Sequence, residues 1–155
     1  MGTGPLAFEA RDPGAVFATP RVGRGAALGD LDGDGRLDLA VTHSNAALEV
    51  GLNQLDPAGA FLGLELRDAA AASNRLAIGA TVTAELASGR RLVRWVRSGT
   101  SYLSQDDLRV HFGLPEGDPL SAVTVRWPDG ATTSHPDLEP GAWHTLTRPA
   151  PGPGD

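Results

Sequence analysis

IGATVTAELASGRRLVRWV, residues 78–96, sets the fold class: two β-like segments, residues 78–86 and 91–96, flank the turn-forming pair Ser88-Gly89. In the second segment Arg91, Val93, Trp95 and Arg97 would share one face of a strand, and Arg90, Leu92, Arg94 and Val96 the other. Arginines on both faces read as a solvated strand whose Arg stems cover apolar neighbours. The pattern recurs on either side. Residues 61–66, 108–112, 122–127, 131–134 and 143–147 are further short β-like segments, separated by Pro115-Glu116-Gly117, Pro128-Asp129-Gly130 and Pro140-Gly141. Strands of this length and spacing predict an all-β chain with a β-sandwich over residues 60–148. Residues 69–72 have the composition of one helical turn, too short to carry the fold.

A chain of 155 residues suits one main core with a small appendage. Gly 20 and Pro 12, with only 5% aromatic but 41% apolar residues, fit short strands joined by many turns. The net charge of -6 argues against a nucleic-acid partner, because counterion release needs a basic surface. Cys 0 excludes disulfides, thiolate metal sites and a cysteine nucleophile. No apolar run approaches the length of a membrane span, and MGTGPLAFEARD lacks a charged segment followed by an apolar one. The chain therefore reads as soluble. Work outside the cell would require an export signal removed or replaced by Met1.

Upstream of the sandwich the pattern changes. Residues 1–25 are interrupted by Pro5, Pro13 and Pro20 and read as an arm, with short strands at most over 6–9 and 15–18. Residues 26–55 read as a hairpin unit: an apolar stretch at 26–28, an Asp-rich loop, then strand candidates at 37–42 and 48–52 about the turn Ser44-Asn45-Ala46. Asp56-Pro57 and Gly59 mark a boundary over residues 53–59. Residues 149–155, PAPGPGD, can bury nothing and read as a flexible tail.

The loop Gly29-Asp30-Leu31-Asp32-Gly33-Asp34-Gly35-Arg36-Leu37-Asp38 places carboxylates at loop positions one, three, five and nine, and glycines at four and six. Two carboxylates a few ångströms apart repel by about 4 kcal/mol at an effective dielectric of about 20, so such a loop needs a cation or must splay open. Hard oxygen ligands around a sharp Gly turn suit Ca²⁺, with six to eight tolerant oxygen positions, better than Mg²⁺ with its tight octahedron. Asp30, Asp32, Asp34 and Asp38 are the expected side-chain ligands. Arg36, whose side chain has the wrong sign, is expected to offer its backbone carbonyl. The EF-hand pattern would require a glutamate at position twelve, where Val41 stands, and Leu37, Leu39 and Val41 suit a strand rather than an exiting helix.

GAALGDLDGDGRLDLAV is similar to the calcium loop of FG-GAP or VCBS repeats. Residues 73–130 resemble the ASPIC/UnbV domain that follows such repeats in the cartilage-acidic-protein-like family and in relatives encoded beside enediyne biosynthesis genes. The resemblance rests on Ile78-Gly79-Ala80, Arg97-Ser98-Gly99, Tyr102-Leu103-Ser104-Gln105, His111-Phe112-Gly113-Leu114 and Val125-Arg126-Trp127-Pro128, in the family's order and spacing. Together the two stretches cover about residues 22–147. The resemblance implies a blade-like calcium hairpin followed by a sandwich, of an extracellular or cell-surface type. One repeat's worth of residues is present where the family has a whole propeller, so the chain is either a C-terminal piece or a stand-alone protein. Its blade-like strands would then join the sandwich sheet, be covered by the Pro-rich arm, or, as the favoured route, pair with a strand from a protein partner or a second copy.

The remaining candidates read as structural. Ser98, Tyr102, Ser104 and Gln105 suit a tight polar connection, with no G-x-S-x-G elbow around either serine. His111 alternates with apolar neighbours as a satisfied, partly buried histidine, and His43, His135 and His144 lack zinc spacing. Trp95, Trp127 and Trp143 suit core and edge packing more than a carbohydrate groove. Two function classes follow: a non-enzymatic, calcium-stabilised adhesion or assembly module, and an enzyme or accessory of a biosynthetic pathway, cyclase- or dehydratase-like. The first is favoured because no acid, base or nucleophile set stands out beyond the ion loop.

Overall fold

Leu62, Leu64 and Leu66 line one face of β4 (Gly59–Asp68), and Val110, Phe112 and Leu114 line one face of β7 (Val110–Pro115). The two strands pair antiparallel, with Leu62 opposite Phe112 and Leu64 opposite Val110, so their apolar faces coincide. These strands come from a computed structural model that describes residues 19–56 and 59–150. On the other side of β4, β10 (Trp143–Arg148) pairs in parallel and adds Leu146 opposite Leu66. A second sheet, in the order β6-β5-β8-β9, faces this one. It consists of β5 (Thr81–Leu86), β6 (Arg91–Trp95), β8 (Leu120–Arg126) and β9 (Thr132–His135). Val82, Ala84 and Leu86 from β5 and Val123 and Val125 from β8 point inward, joined by Val96 and Trp127 just beyond strand ends. Burying each of the larger side chains contributes roughly 1.5–3 kcal/mol, which makes this layer the stabilising body of the molecule.

The expected all-β sandwich is what forms: among the described residues there is no helix, and none of the sheets closes into a barrel. A third sheet stands apart, built from β1 (Gly23–Gly29), β2 (Asp38–His43) and β3 (Ala46–Gly51), all antiparallel. The turn between β2 and β3 is two residues, Ser44-Asn45, with Asn45 in the left-handed region at φ 57°, so β3 begins at Ala46 rather than at 48.

Several boundaries differ from the sequence reading for local reasons. Residues 78–80 are a turn, because Gly79 sits at φ 96° and the Asn74 side chain binds both the amide and the carbonyl of Ile78. β7 starts at Val110 and not at 108, since Asp107 accepts the Arg109 amide and holds the chain in a loop. Residues 69, 70 and 72 are bends rather than a helical turn, and the Asp68 carboxylate accepts the Ala70 amide. The strands expected over 6–9 and 15–18, and residues 151–155 of the tail, lie outside the described residues. On β6 the Arg94 guanidinium lies 5.5 Å from the centre of the Phe112 ring.

Candidate metal centre

The β1–β2 ladder places Gly29 opposite Asp38, so the residues that open and close the acidic loop are brought together at the mouth of a hairpin. Between them the chain must reverse within eight residues, and Gly33 and Gly35 provide two left-handed positions, at φ 80° and 86°. The loop then folds around its first carboxylate. Asp30 Oδ1 accepts the amides of Gly33 (2.8 Å) and Asp34 (3.1 Å), and Oδ2 accepts that of Gly35 (2.9 Å). Asp38 ties the base of the loop, accepting the Leu31 amide at Oδ2 and the Asn53 amide at Oδ1, each at 2.8 Å.

Asp30, Asp32 and Asp38 each offer a carboxylate oxygen within 4.8 Å of the others. Asp30 and Asp38 are buried at 6% and 1% exposure, whereas Asp32 is exposed at the open side. Burial pushes the Asp30 carboxyl up, but the hydrogen bonds from Trp143, Gly35, Gly33 and Asp34 outweigh it and hold the group below its ordinary range. Three carboxylates this close repel pairwise by roughly 3–4 kcal/mol at an effective dielectric of about 20. A donor set made only of carboxylate oxygens around a double-glycine turn fits a hard divalent cation.

Asp34 and Arg36 are placed differently. The Asp34 carboxylate lies outside the three-carboxylate group: it accepts the Arg36 amide at 2.8 Å and forms an ion pair with the Arg36 guanidinium. Arg36 also donates from Nε to the Asn53 carbonyl, so its side chain fastens the loop to the strand exit after β3.

The loop does not stand in solvent. Its inner side rests on the outer face of β4, β7 and β10. Trp143 Nε1 donates to Asp30 Oδ2 at 3.0 Å, and His111 Nε2 donates to the Gly35 carbonyl at 2.7 Å. Phe61 stacks on His111 with centroids 5.7 Å apart and planes 3° from parallel. Arg109 lies 4.1 Å from the centre of the Trp143 ring, bonds to Asp107, and reaches the Asp30 carbonyl at 3.3 Å. Two glycines make this approach possible: a Cβ on Gly35 would lie 2.2 Å from the Phe61 ring, and one on Gly63 2.2 Å from the Trp143 ring. Asp106 and Asp107 close the other flank, bonding to the amide and carbonyl of Leu28.

Phe61 and Arg109 are thus site residues that local sequence reading passes over, and His111 and Trp143 are ones it reads as structural only. Gly63, isolated inside an apolar strand, is the one sequence signal of a close approach there. His111 is satisfied, as expected of it, and Ser104 Oγ donates to the Tyr102 carbonyl at 3.0 Å inside its own turn, with no link between the two. Trp127 is core, Trp143 half-buried against the loop, and Trp95 exposed. Beside the loop a cleft of about 800 Å³ opens, lined by Arg36, Leu55, Phe61, Leu92, His111 and Leu114 among others.

A sequence profile for ASPIC and UnbV matches residues 70–152, and one for the FG-GAP repeat matches residues 22–54. The β4 strand, which precedes the first of these matches, is nonetheless central to its sheet. Cartilage acidic protein 1 of Homo sapiens is 31% identical over 134 residues, covering 82% of this chain and 19% of the human protein. The Mus musculus protein of the same name is 31% identical over 134 residues, covering 82% of this chain and 20% of its own length. That of Xenopus tropicalis is 31% identical over 130 residues, covering 79% and 19%. The chain spans about a fifth of the length of these curated relatives.

Proposed function

The chain belongs to the ASPIC and UnbV family, and starting from that membership we propose that it is a calcium-binding, non-enzymatic interaction module of the extracellular type. The observation that carries this reading is the convergence of Asp30, Asp32 and Asp38 at the closed end of an FG-GAP-matching hairpin. Those three carboxylates would hold the ion. Asp34, on exchanging its Arg36 contact, and the Arg36 carbonyl would complete the oxygen set. The bound ion supplies charge neutralisation, which removes the mutual repulsion and fixes the loop against the sandwich.

Binding to the folded state alone stabilises it by RT ln(1 + [L]/Kd), about 2.7 kcal/mol at a hundredfold excess over Kd. The melting temperature should therefore rise in millimolar Ca²⁺ relative to chelator, and Asp32→Ala should lose most of that rise. Identical melts of the native chain in both conditions would reject the ion.

The interaction surface we propose is the three-stranded sheet. Leu28, Leu48 and Val50 are exposed there, with Leu52 just beyond the end of β3, and among the described residues β3 pairs only with β2, leaving its outer edge free. The β1 flank is already engaged by Asp106 and Asp107 at Leu28. An incoming strand from a protein partner or a second copy would add to β3 by backbone hydrogen bonding. Mass measurement across micromolar concentrations tests the second-copy route: a strictly monomeric chain whose β3 amides are already protected from exchange contradicts it. Secretion or cell-surface display follows from the same family reading, and a native chain confined to the cytosolic fraction would oppose it. Residues 60–148 are proposed to fold alone, and loss of a cooperative melt on truncation to them would refute that boundary.

A further inference from the structure

We propose that Trp143, a sandwich residue 105 positions downstream of the loop's end, is a positioning residue of the cation site, so that the sandwich sets the loop's affinity for its ion.

The proposal rests on the calcium reading above and concerns the sandwich side of the site. Trp143 Nε1 is a donor only, and its partner is Asp30 Oδ2, the oxygen that also accepts the Gly35 amide. Asp30 is one of the three convergent carboxylates, so the indole fixes the rotamer of a ligand without touching the ion. Donors to ligating carboxylates commonly carry a tenfold to hundredfold share of metal affinity. The indole is itself held. Its ring lies over Gly63, where a Cβ would leave no room, and under the Arg109 guanidinium, which is fixed by Asp107. His111 grips the next part of the loop at the Gly35 carbonyl. Three side chains from β10, β7 and the turn before β7 therefore clamp the loop at Asp30 and Gly35.

A clamp that improves ion binding is in turn tightened by the ion, because the coupling free energy is the same in both directions. The ion would then govern how firmly the three-stranded sheet, with its exposed β3 edge, is attached to the sandwich.

Trp143→Phe is the informative variant: it keeps an aromatic side chain beside Gly63 and Arg109 and removes the N–H donor together with one ring of the indole. Calorimetric titration of the full chain with Ca²⁺ should show affinity about tenfold weaker in Trp143→Phe than in the native chain. A second readout needs no variant. Three indole N–H signals are expected in the ¹H–¹⁵N spectrum of the native chain, and the Trp143 signal should move on Ca²⁺ addition while those of Trp95 and Trp127 stay. Equal affinities with a static Trp143 signal overturn the positioning role and leave the calcium reading standing. No Ca²⁺ binding by the native chain overturns both. Should Trp143→Phe fail to fold, the indole spectrum of the native chain alone decides, movement of the Trp143 signal supporting the role and stasis on saturation rejecting it.

Discussion

Among the described residues sixteen apolar side chains form the core of the sandwich, from Leu62 to Leu146, and the three-stranded sheet contributes none of them. Between Gly23 and Gly51 the buried residues are Gly25, Gly29, Asp30, Gly35 and Asp38, glycines and aspartates only. The sandwich is held by removing hydrocarbon from water, a force indifferent to calcium. The smaller sheet is held by hydrogen bonds to two buried carboxylates, an aromatic clamp and, on the reading above, an ion. A three-stranded sheet with exposed apolar residues and no core of its own is marginal in water, so its order depends on what it docks against. The contrast explains why the glycines matter: at Gly35 and Gly63 a missing Cβ allows the two regions to touch.

The largest expected effect lies wholly in the sandwich. Phe112 is fully buried, and Phe112→Ala should cost about 3–5 kcal/mol through lost transfer energy and a residual cavity. Denaturant melts should show this loss equally in Ca²⁺ and in chelator. A loss that calcium restored would mean that the two regions share a core after all.

Next comes the ion pair at the end of the parallel ladder. Arg148 Nε donates to Asp68 at 2.9 Å, with the Asp68 side chain 1% exposed, and the same guanidinium holds Asp129 at 2.7 and 2.8 Å. Arg148→Met would remove the charge partner of the buried Asp68 carboxylate, leaving it the Ala70 amide, and should be destabilising. Adding Asp68→Asn should recover part of the loss, since the uncompensated charge is then gone. Non-recovery in the double variant would show that the loss comes from Arg148 packing on Trp127 instead.

Calcium comes third and should act on the other region. At a hundredfold excess over Kd its contribution is about 2.7 kcal/mol, and hydrogen exchange should place the added protection in β1, β2 and the loop. Uniform protection across β5 and β8 would mean that the ion stabilises the sandwich directly.

The smallest effect is a pH dependence at the sheet edge. Trp127 Nε1 donates to Thr133 Oγ1 at 3.1 Å, and that hydroxyl lies 3.1 Å from His135 Nε2. The Thr133 hydroxyl proton is free to donate to an unprotonated His135 nitrogen. Burial holds the His135 imidazole below its ordinary value of 6.5. The unfolded chain therefore binds this proton more readily than the folded one. The stabilisation is fully present above about pH 6.5 and is lost as the pH falls through the lowered folded value. His135→Gln should flatten the fall in stability as the pH drops below about 6.5, and an unchanged slope would assign it elsewhere.

Legibility follows the range of the interactions. Turn residues such as Ser88-Gly89 and Pro128-Asp129-Gly130 act on their immediate neighbours, so most strands stood in the sequence within a few residues. The carboxylate spacing of the loop is likewise local, and Asp30, Asp32 and Asp38 do converge. Asp34 does not join them, because its nearest competitor, Arg36, lies two positions away and has the opposite charge.

Sequence alone thus established the all-β class, the strand grammar and the acidic loop, all consequences of backbone preference and side-chain period over fewer than a dozen residues. Folding had to decide the rest. The parallel pairing of β10 with β4 joins residues about 80 apart, and the Trp143–Asp30 bond joins residues 113 apart. No periodicity reports such contacts, since they depend on which faces remain open once each sheet has buried its apolar side. That outer face, made by Phe61, His111 and Trp143, exists only after β4, β7 and β10 have assembled, and it is where the acidic loop comes to rest.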